Sequence, residues 1–131
     1  MGEFRVNTSK RNELVDITSE VRKIVKEAGI KDGVCIMYCP HTTAAITINE
    51  GADPDVKEDV LMQLRKLVTE DNGYKHSEGN SDAHIKSSIV GVSEVVVIKD
   101  GKLVLGQWQS IFFAEFDGPR NRGVIVKVIS S

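Results

Sequence analysis

Two cysteines in 131 residues rule out a fold stapled by several disulfides. No apolar run approaches the roughly 20 residues that span a bilayer. The opening Met-Gly-Glu-Phe-Arg-Val lacks the apolar core of a signal peptide, so a cytoplasmic location without membrane attachment is expected. A net charge of −2 gives no basic field, and nucleic acid is not an expected partner. Neither Gly-x-x-x-x-Gly-Lys-Ser/Thr nor Gly-x-Ser-x-Gly occurs, and no Gly-x-Gly-x-x-Gly follows a strand. Nucleotide, dinucleotide and serine-hydrolase readings lose their usual support. No repeat, low-complexity segment or interdomain linker is visible, so residues 1–131 are read as one domain.

Cys35 and Cys39 lie four residues apart on a segment that reads as a strand. That spacing spans about 13 Å, whereas a disulfide needs a Cα separation of no more than about 7 Å. The two are therefore not expected to pair with each other. They read as small buried hydrophobes, and a nucleophilic Cys39 assisted by His41 is the alternative.

Hydrophobic periodicity supplies most of the elements. Glu3–Thr8 and Glu13–Ile17 read as short strands. A helix follows, with Thr18 or Ser19 as N-cap and Val21, Ile24, Val25 and Ala28 as its apolar stripe, closed by Gly29. Gly33–Cys39 and Thr43–Asn49 read as strands. In the second of these, Ile46 and Ile48 point to the core. Thr43, Thr47 and Asn49 point the other way, with His41 on the same parity, as a face that could line a cleft. Asp53-Pro54 opens the main helix, whose buried stripe is Val56, Val60, Leu61, Leu64, Leu67 and Val68. Thr69–Ser81 is a polar loop of the length that often carries function. Asp82 to about Val90 is a short helix. The last forty residues read as antiparallel β: Val95–Ile98, a turn at Lys99–Lys102, Leu103–Leu105, Gln109–Asp117 and Val124–Ile129. Glu115, on the apolar face of Gln109–Asp117, marks either the rim or a site. The predicted class is α+β with a largely antiparallel sheet or sandwich.

Chemistry is concentrated around the three histidines. His76 and His84 bracket Glu78, Asn80 and Asp82, while His41 stands in Cys-Pro-His-Thr-Thr. Three converging imidazoles would leave a fourth position open on a metal, as in catalytic zinc sites. Imidazoles beside carboxylates equally suit acid–base work. Lys86, Arg120 and Arg122 are candidate anion contacts.

Three blocks carry a resemblance. They are His41-Thr42-Thr43-Ala44 with Thr47 through Pro54; His76, Glu78-Gly79-Asn80 and Ala83-His84-Ile85-Lys86; and Gly101-Lys102-Leu103 through Leu105-Gly106-Gln107-Trp108-Gln109 to Glu115–Arg120. Together they resemble the signatures of the YjbQ-like family, also called the secondary thiamine-phosphate synthase family. The match runs over nearly the whole chain, with Gln107 where many relatives carry Thr. The resemblance implies a two-sheet β-sandwich with interspersed helices, a homotrimer, and a metal cleft near a subunit interface. The metal implied is zinc, or magnesium with a diphosphate substrate. The implied ligands are His41, His76 and His84. Glu50 and Glu78 are the implied acid–base groups, and Asn49, Asn80, Lys86 and Arg120 the implied contacts to a small phosphorylated substrate. The implied activity joins a hydroxymethylpyrimidine diphosphate to a thiazole phosphate with loss of pyrophosphate, as a main or a side activity. A zinc-dependent hydrolase of a small phosphorylated or amide substrate and a non-enzymatic metal- or ligand-binding trimer are the rival expectations.

Overall fold

The computed structural model describes residues 2–131. In chain order they form β1 (Gly2–Asn7), β2 (Glu13–Asp16), α1 (Thr18–Ala28), β3 (Gly33–Tyr38), β4 (Ala44–Glu50), α2 (Pro54–Leu67), α3 (Ser81–Val90), β5 (Ser93–Lys99), β6 (Lys102–Leu103), β7 (Gln109–Glu115) and β8 (Asn121–Ser130). The strands make two antiparallel sheets. One is five-stranded in the order β1-β8-β3-β5-β6, and the other is three-stranded in the order β2-β7-β4. The expected α+β class with two sheets and interspersed helices holds.

Alternation along the strands builds two cores rather than one. Phe113 faces the space between the sheets, with Ile46, Ile111, Met37, Cys35, Val96 and Val126. Its neighbour Phe112 faces the opposite side of the small sheet, with Ala45, Ala114, Leu14 and Phe116, because successive strand side chains point to opposite faces. Strand parity assigns that second face of β4 to a cleft. Instead, Ala83 of α3 and Val60, Leu61 and Leu64 of α2 pack against it. Polarity at Thr43 and Thr47 suggests solvent, but the alanine between them lets a helix approach closely.

The helix ends follow local chemistry. Asp53 accepts a hydrogen bond from the Asp55 N–H at 2.9 Å, with Pro54 at the first helical position, so α2 begins as the sequence predicts. Helix α1 differs. Its N-cap is Ile17, and Asp16 accepts from both the N–H and the hydroxyl of Thr18, at 2.9 and 2.6 Å. Gly29 closes α1 in the left-handed region, as expected. At the β5–β6 hairpin, Asp100 and Gly101 both have positive φ, the requirement of a tight two-residue turn. Helix α2 buries less than its stripe implies: none of its residues is fully buried, and Leu67 is 66% exposed. The outer face of the large sheet is also apolar, with Tyr38, Val95, Val97 and Ile129 exposed.

Candidate functional site

Helix α3 crosses β4, tied by the Ser87 hydroxyl donating to the Ala44 carbonyl at 2.7 Å. The contact places His84, half-buried on α3, near the start of β4 and therefore near His41. A cleft of about 450 Å³ is lined by His41, Thr42, His84, Ser87, Ser88, Gly91 and Val92. On the other side of His84 a second cleft, of about 370 Å³, is lined by Tyr74, Lys75, His76, Ser81, His84 and Ile85. His84 thus stands between two adjoining clefts. Its ring meets that of His76 edge-on, with centroids 5.4 Å apart and planes at 88°. Glu78 lies 3.8 Å from His76 Nε2 and is exposed.

His41 is held differently. Its Nε2 lies 2.9 Å from the Gly123 N–H and 3.2 Å from the Gly123 carbonyl. The chain here has left β3, and the imidazole takes the next place along β8. Burial lowers the His41 pKa first, the positive Arg122 lowers it further, and the Gly123 carbonyl, which can accept from a protonated Nε2, opposes both. The ring is accordingly favoured in its neutral form.

Three converging metal ligands are not found in the chain: among the described residues no group of three or more His, Cys, Asp or Glu side chains is placed to hold an ion. His76 and His84 offer two imidazoles to a common space, a partial donor set for a divalent ion. His41 belongs to the neighbouring cleft, with one ring nitrogen engaged by Gly123.

The other expected residues divide into those near the histidines and those that are not. Asn49 and Glu50 end β4 opposite Ser110 and Gln109, roughly 20 Å of strand from Ala44. Within one chain they do not join the histidines. Lys86, expected as an anion contact, is fully buried. Its Nζ donates to Asp82 and to Asn12, both at 3.1 Å, and lies 5.8 Å from the centre of the Phe116 ring. Arg11 adds a hydrogen bond to Asp82 at 3.1 Å. Arg122 is buried as well. It donates through Nε and Nη2 to Glu115, at 2.8 and 2.5 Å, and to the Thr43 hydroxyl at 2.8 Å. Glu115, neither at the rim nor facing a cleft, is the buried counter-ion of Arg122. Burial alone would raise its pKa. The bonds from Arg122, the Asp117 N–H and Thr8 outweigh that and hold it below the usual carboxylate range.

Arg120 remains exposed, its guanidinium oriented by the Asp117 carbonyl at 2.8 Å and carboxylate at 3.1 Å. Asn80, just ahead of α3, donates to the same carboxylate at 2.9 Å, so Arg120 is coupled to the helix that carries His84. The Asn80 Oδ1 is buried without a donor. Both cysteines are free and buried, and burial pushes each thiol up to about 11. A nucleophilic Cys39 is therefore excluded as a thiolate chemist near neutral pH. Sequence reasoning missed Thr42, Ser87 and Ser88 as cleft residues, and Gly123 as the anchor of His41. Ser88 shares a helix face with His84 at i,i+4, a usable signal, whereas nothing local links residues 41 and 123.

Two sheets, three helices and paired clefts around α3 define a compact α+β protein with a histidine-lined site. The chain belongs to the YjbQ-like UPF0047 family, whose model matches residues 2–131. It is 56% identical over 126 residues to a UPF0047 protein of Methanocaldococcus jannaschii, covering 96% of this chain and 91% of that one. It is 49% identical to the UPF0047 protein YugU of Bacillus subtilis, covering 96% of each. Among solved structures, a YjbQ/UPF0047-family protein of Clostridium acetobutylicum superposes with a TM-score of 0.97 at 53% identity, covering 98% of this chain and 100% of that one. A YbjQ-like protein of Sulfolobus solfataricus superposes with a TM-score of 0.96 at 37% identity, covering 99% and 96%. None of these names states an activity. Among the described residues, no helix is long and apolar enough to cross a membrane.

Proposed function

We propose that the protein is a transferase that brings two small phosphorylated molecules together at His84, with secondary thiamine-phosphate synthesis as the reaction. The observation that carries this reading is that His84 lines two adjoining clefts at once. A hydrolase needs one substrate pocket and water. A condensation needs two sites that meet at a reacting atom. Each cleft has the volume of a small-molecule site.

The reaction balances without a covalent enzyme intermediate. The carbon–oxygen bond between the pyrimidine methylene and the diphosphate breaks, and the diphosphate leaves with the electron pair. The thiazole nitrogen forms the new carbon–nitrogen bond. Negative charge grows on the leaving diphosphate, so groups that donate hydrogen bonds or carry positive charge lower the barrier. Lys75 in the second cleft supplies positive charge and His76 and His84 supply ring N–H donors, while the exposed Arg120, which lines neither cleft, is a further candidate for phosphate. A divalent ion, zinc or magnesium, would be held by His76 and His84 and would supply further charge neutralisation to the diphosphate. Glu78, exposed 3.8 Å from His76 Nε2, is the candidate acid–base group beside that ring. We also infer self-association, as the homotrimer that the family resemblance implies; Tyr38, Val95, Val97 and Ile129 leave an apolar outer sheet face of the kind that marks association surfaces.

The test is product formation from hydroxymethylpyrimidine diphosphate and thiazole phosphate, with each substrate omitted in turn. Thiamine phosphate and pyrophosphate in equal amounts, abolished by omission of either substrate and reduced about 100-fold or more in His84→Ala, is the expected result. Phosphate or pyrophosphate release without the thiazole would replace the reading with a hydrolase. No turnover under either condition would leave a ligand-binding protein.

A further inference from the structure

The geometry points to His41 as a hydrogen-bond donor to substrate phosphate through Nδ1–H, and not as a metal ligand. The inference rests on the reading of these clefts as sites for phosphorylated molecules and assigns one ring nitrogen its task.

In an antiparallel strand the N–H and C=O of one residue point to the same edge. Gly123 directs both at His41, at 2.9 and 3.2 Å from the same nitrogen, Nε2. Nε2 has either a lone pair or a proton in the ring plane, so it satisfies one of these groups and not both. As an acceptor it takes the shorter contact and satisfies the N–H of a buried residue. As a donor it would leave that N–H facing a second hydrogen, while the carbonyl tolerates an unfilled lone pair more readily. The backbone of β8 therefore selects the tautomer with the proton on Nδ1.

The consequence reaches the cleft. With Nε2 committed to Gly123, Nδ1 is the ring nitrogen left for the cavity His41 lines with Thr42, His84, Ser87 and Ser88. A protonated Nδ1 cannot coordinate an ion, because metal ligation needs the lone pair. It can donate to an anionic oxygen. The two serines direct their hydroxyl protons to the carbonyls of Ala44 and His84, at 2.7 and 2.9 Å. They offer the cleft acceptors rather than donors, so a phosphate oxygen entering here depends on His41, Thr42 and His84.

The experiment is nitrogen-15 NMR of the full chain labelled at histidine, with and without sodium phosphate and with zinc. It is paired with phosphate affinities of wild type, His41→Ala and His41→Asn, the last keeping an N–H near the position of Nδ1. The expected spectrum has His41 as the Nδ1–H tautomer, its Nδ1 moved by phosphate and its nitrogens unmoved by zinc. The Ala variant should bind phosphate about tenfold or more weakly, and the Asn variant should recover part of that loss. An Nε2–H tautomer, zinc coordination at His41, or phosphate binding that leaves Nδ1 unmoved would overturn the inference. The wild-type spectrum decides even where a variant fails to fold. Absence of thiamine-phosphate synthesis alongside the expected spectrum would reject the reaction and leave the role of His41 standing.

Discussion

Removing the Glu115 carboxylate should destabilise the protein severely, and restoring an apolar pair should recover most of the loss. Glu115 is fully buried and Arg122 is 5% exposed. In Glu115→Ala the guanidinium loses two charged hydrogen bonds but keeps its charge, and the N–H groups of Phe116 and Asp117 lose an acceptor. Breaking one side of a buried pair costs about 3–5 kcal/mol, a large part of a total stability of about 5–15 kcal/mol. For a chain of this length that lowers Tm by roughly 10–20 °C. The Glu115→Leu, Arg122→Met double variant removes both charges. Thr8 loses the carboxylate but keeps the Arg120 carbonyl as acceptor and the Arg120 N–H as donor. The Phe116 N–H keeps the Thr43 carbonyl, and the part-buried Asp117 N–H and the Thr43 hydroxyl lose their charged partners. The double variant should therefore lie within about 2 kcal/mol of wild type. Urea unfolding of both variants gives the comparison. A loss under about 1 kcal/mol in Glu115→Ala, or a double variant no better than the single, would refute the reasoning that the stranded Arg122 charge causes most of the loss. The pH dependence supplies an independent check. The Glu115 carboxyl is depressed in the folded chain, so its stabilisation is present above the unfolded carboxylate pKa of about 4.3. It is lost as pH falls through the folded value. The Ala variant should show a flatter acid limb.

His41 has its pKa lowered by burial and by Arg122, so its contribution is intact above about pH 6.5 and shrinks as pH falls below it; stability between pH 7 and 5 should decline less in His41→Gln than in wild type. Both thiols sit at about 11, so at pH 8 about one in a thousand is a thiolate, and a thiol reagent should label them at the rate of unfolding rather than at its intrinsic rate. If the chain associates as inferred, wild type should run as a trimer in light scattering coupled to gel filtration and Val97→Glu, on the exposed apolar face of β5, as a monomer; a variant mass equal to wild type would place the association surface elsewhere. Asp53→Ala removes the side-chain acceptor at the start of α2 and should cost about 1 kcal/mol in urea unfolding.

What the sequence reveals here follows from how far each interaction reaches along the chain. Asp53-Pro54, Asp100-Gly101 and Gly29 act on backbone within a turn of themselves, and each element boundary they mark is where the sequence puts it. The charged pairs do not announce themselves in this way. Asp82 and Lys86 are spaced i,i+4, the pattern of an ordinary solvated helix pair, yet both are fully buried. What buries them is Asn12, Arg11 and Phe116, brought from other elements of the fold. Arg122 looks like a turn residue until β8 begins at Asn121 and carries it inward against β7. The candidate site has the same division. His76 and His84 lie within one stretch of chain, and the structure puts their rings 5.4 Å apart. The third histidine answers to a strand 82 residues away. Residue type alone makes His41 equivalent to the other two, and only the Gly123 backbone distinguishes it. In this chain the long-range partners therefore decide which imidazoles have free lone pairs, and with them the chemistry the clefts can perform.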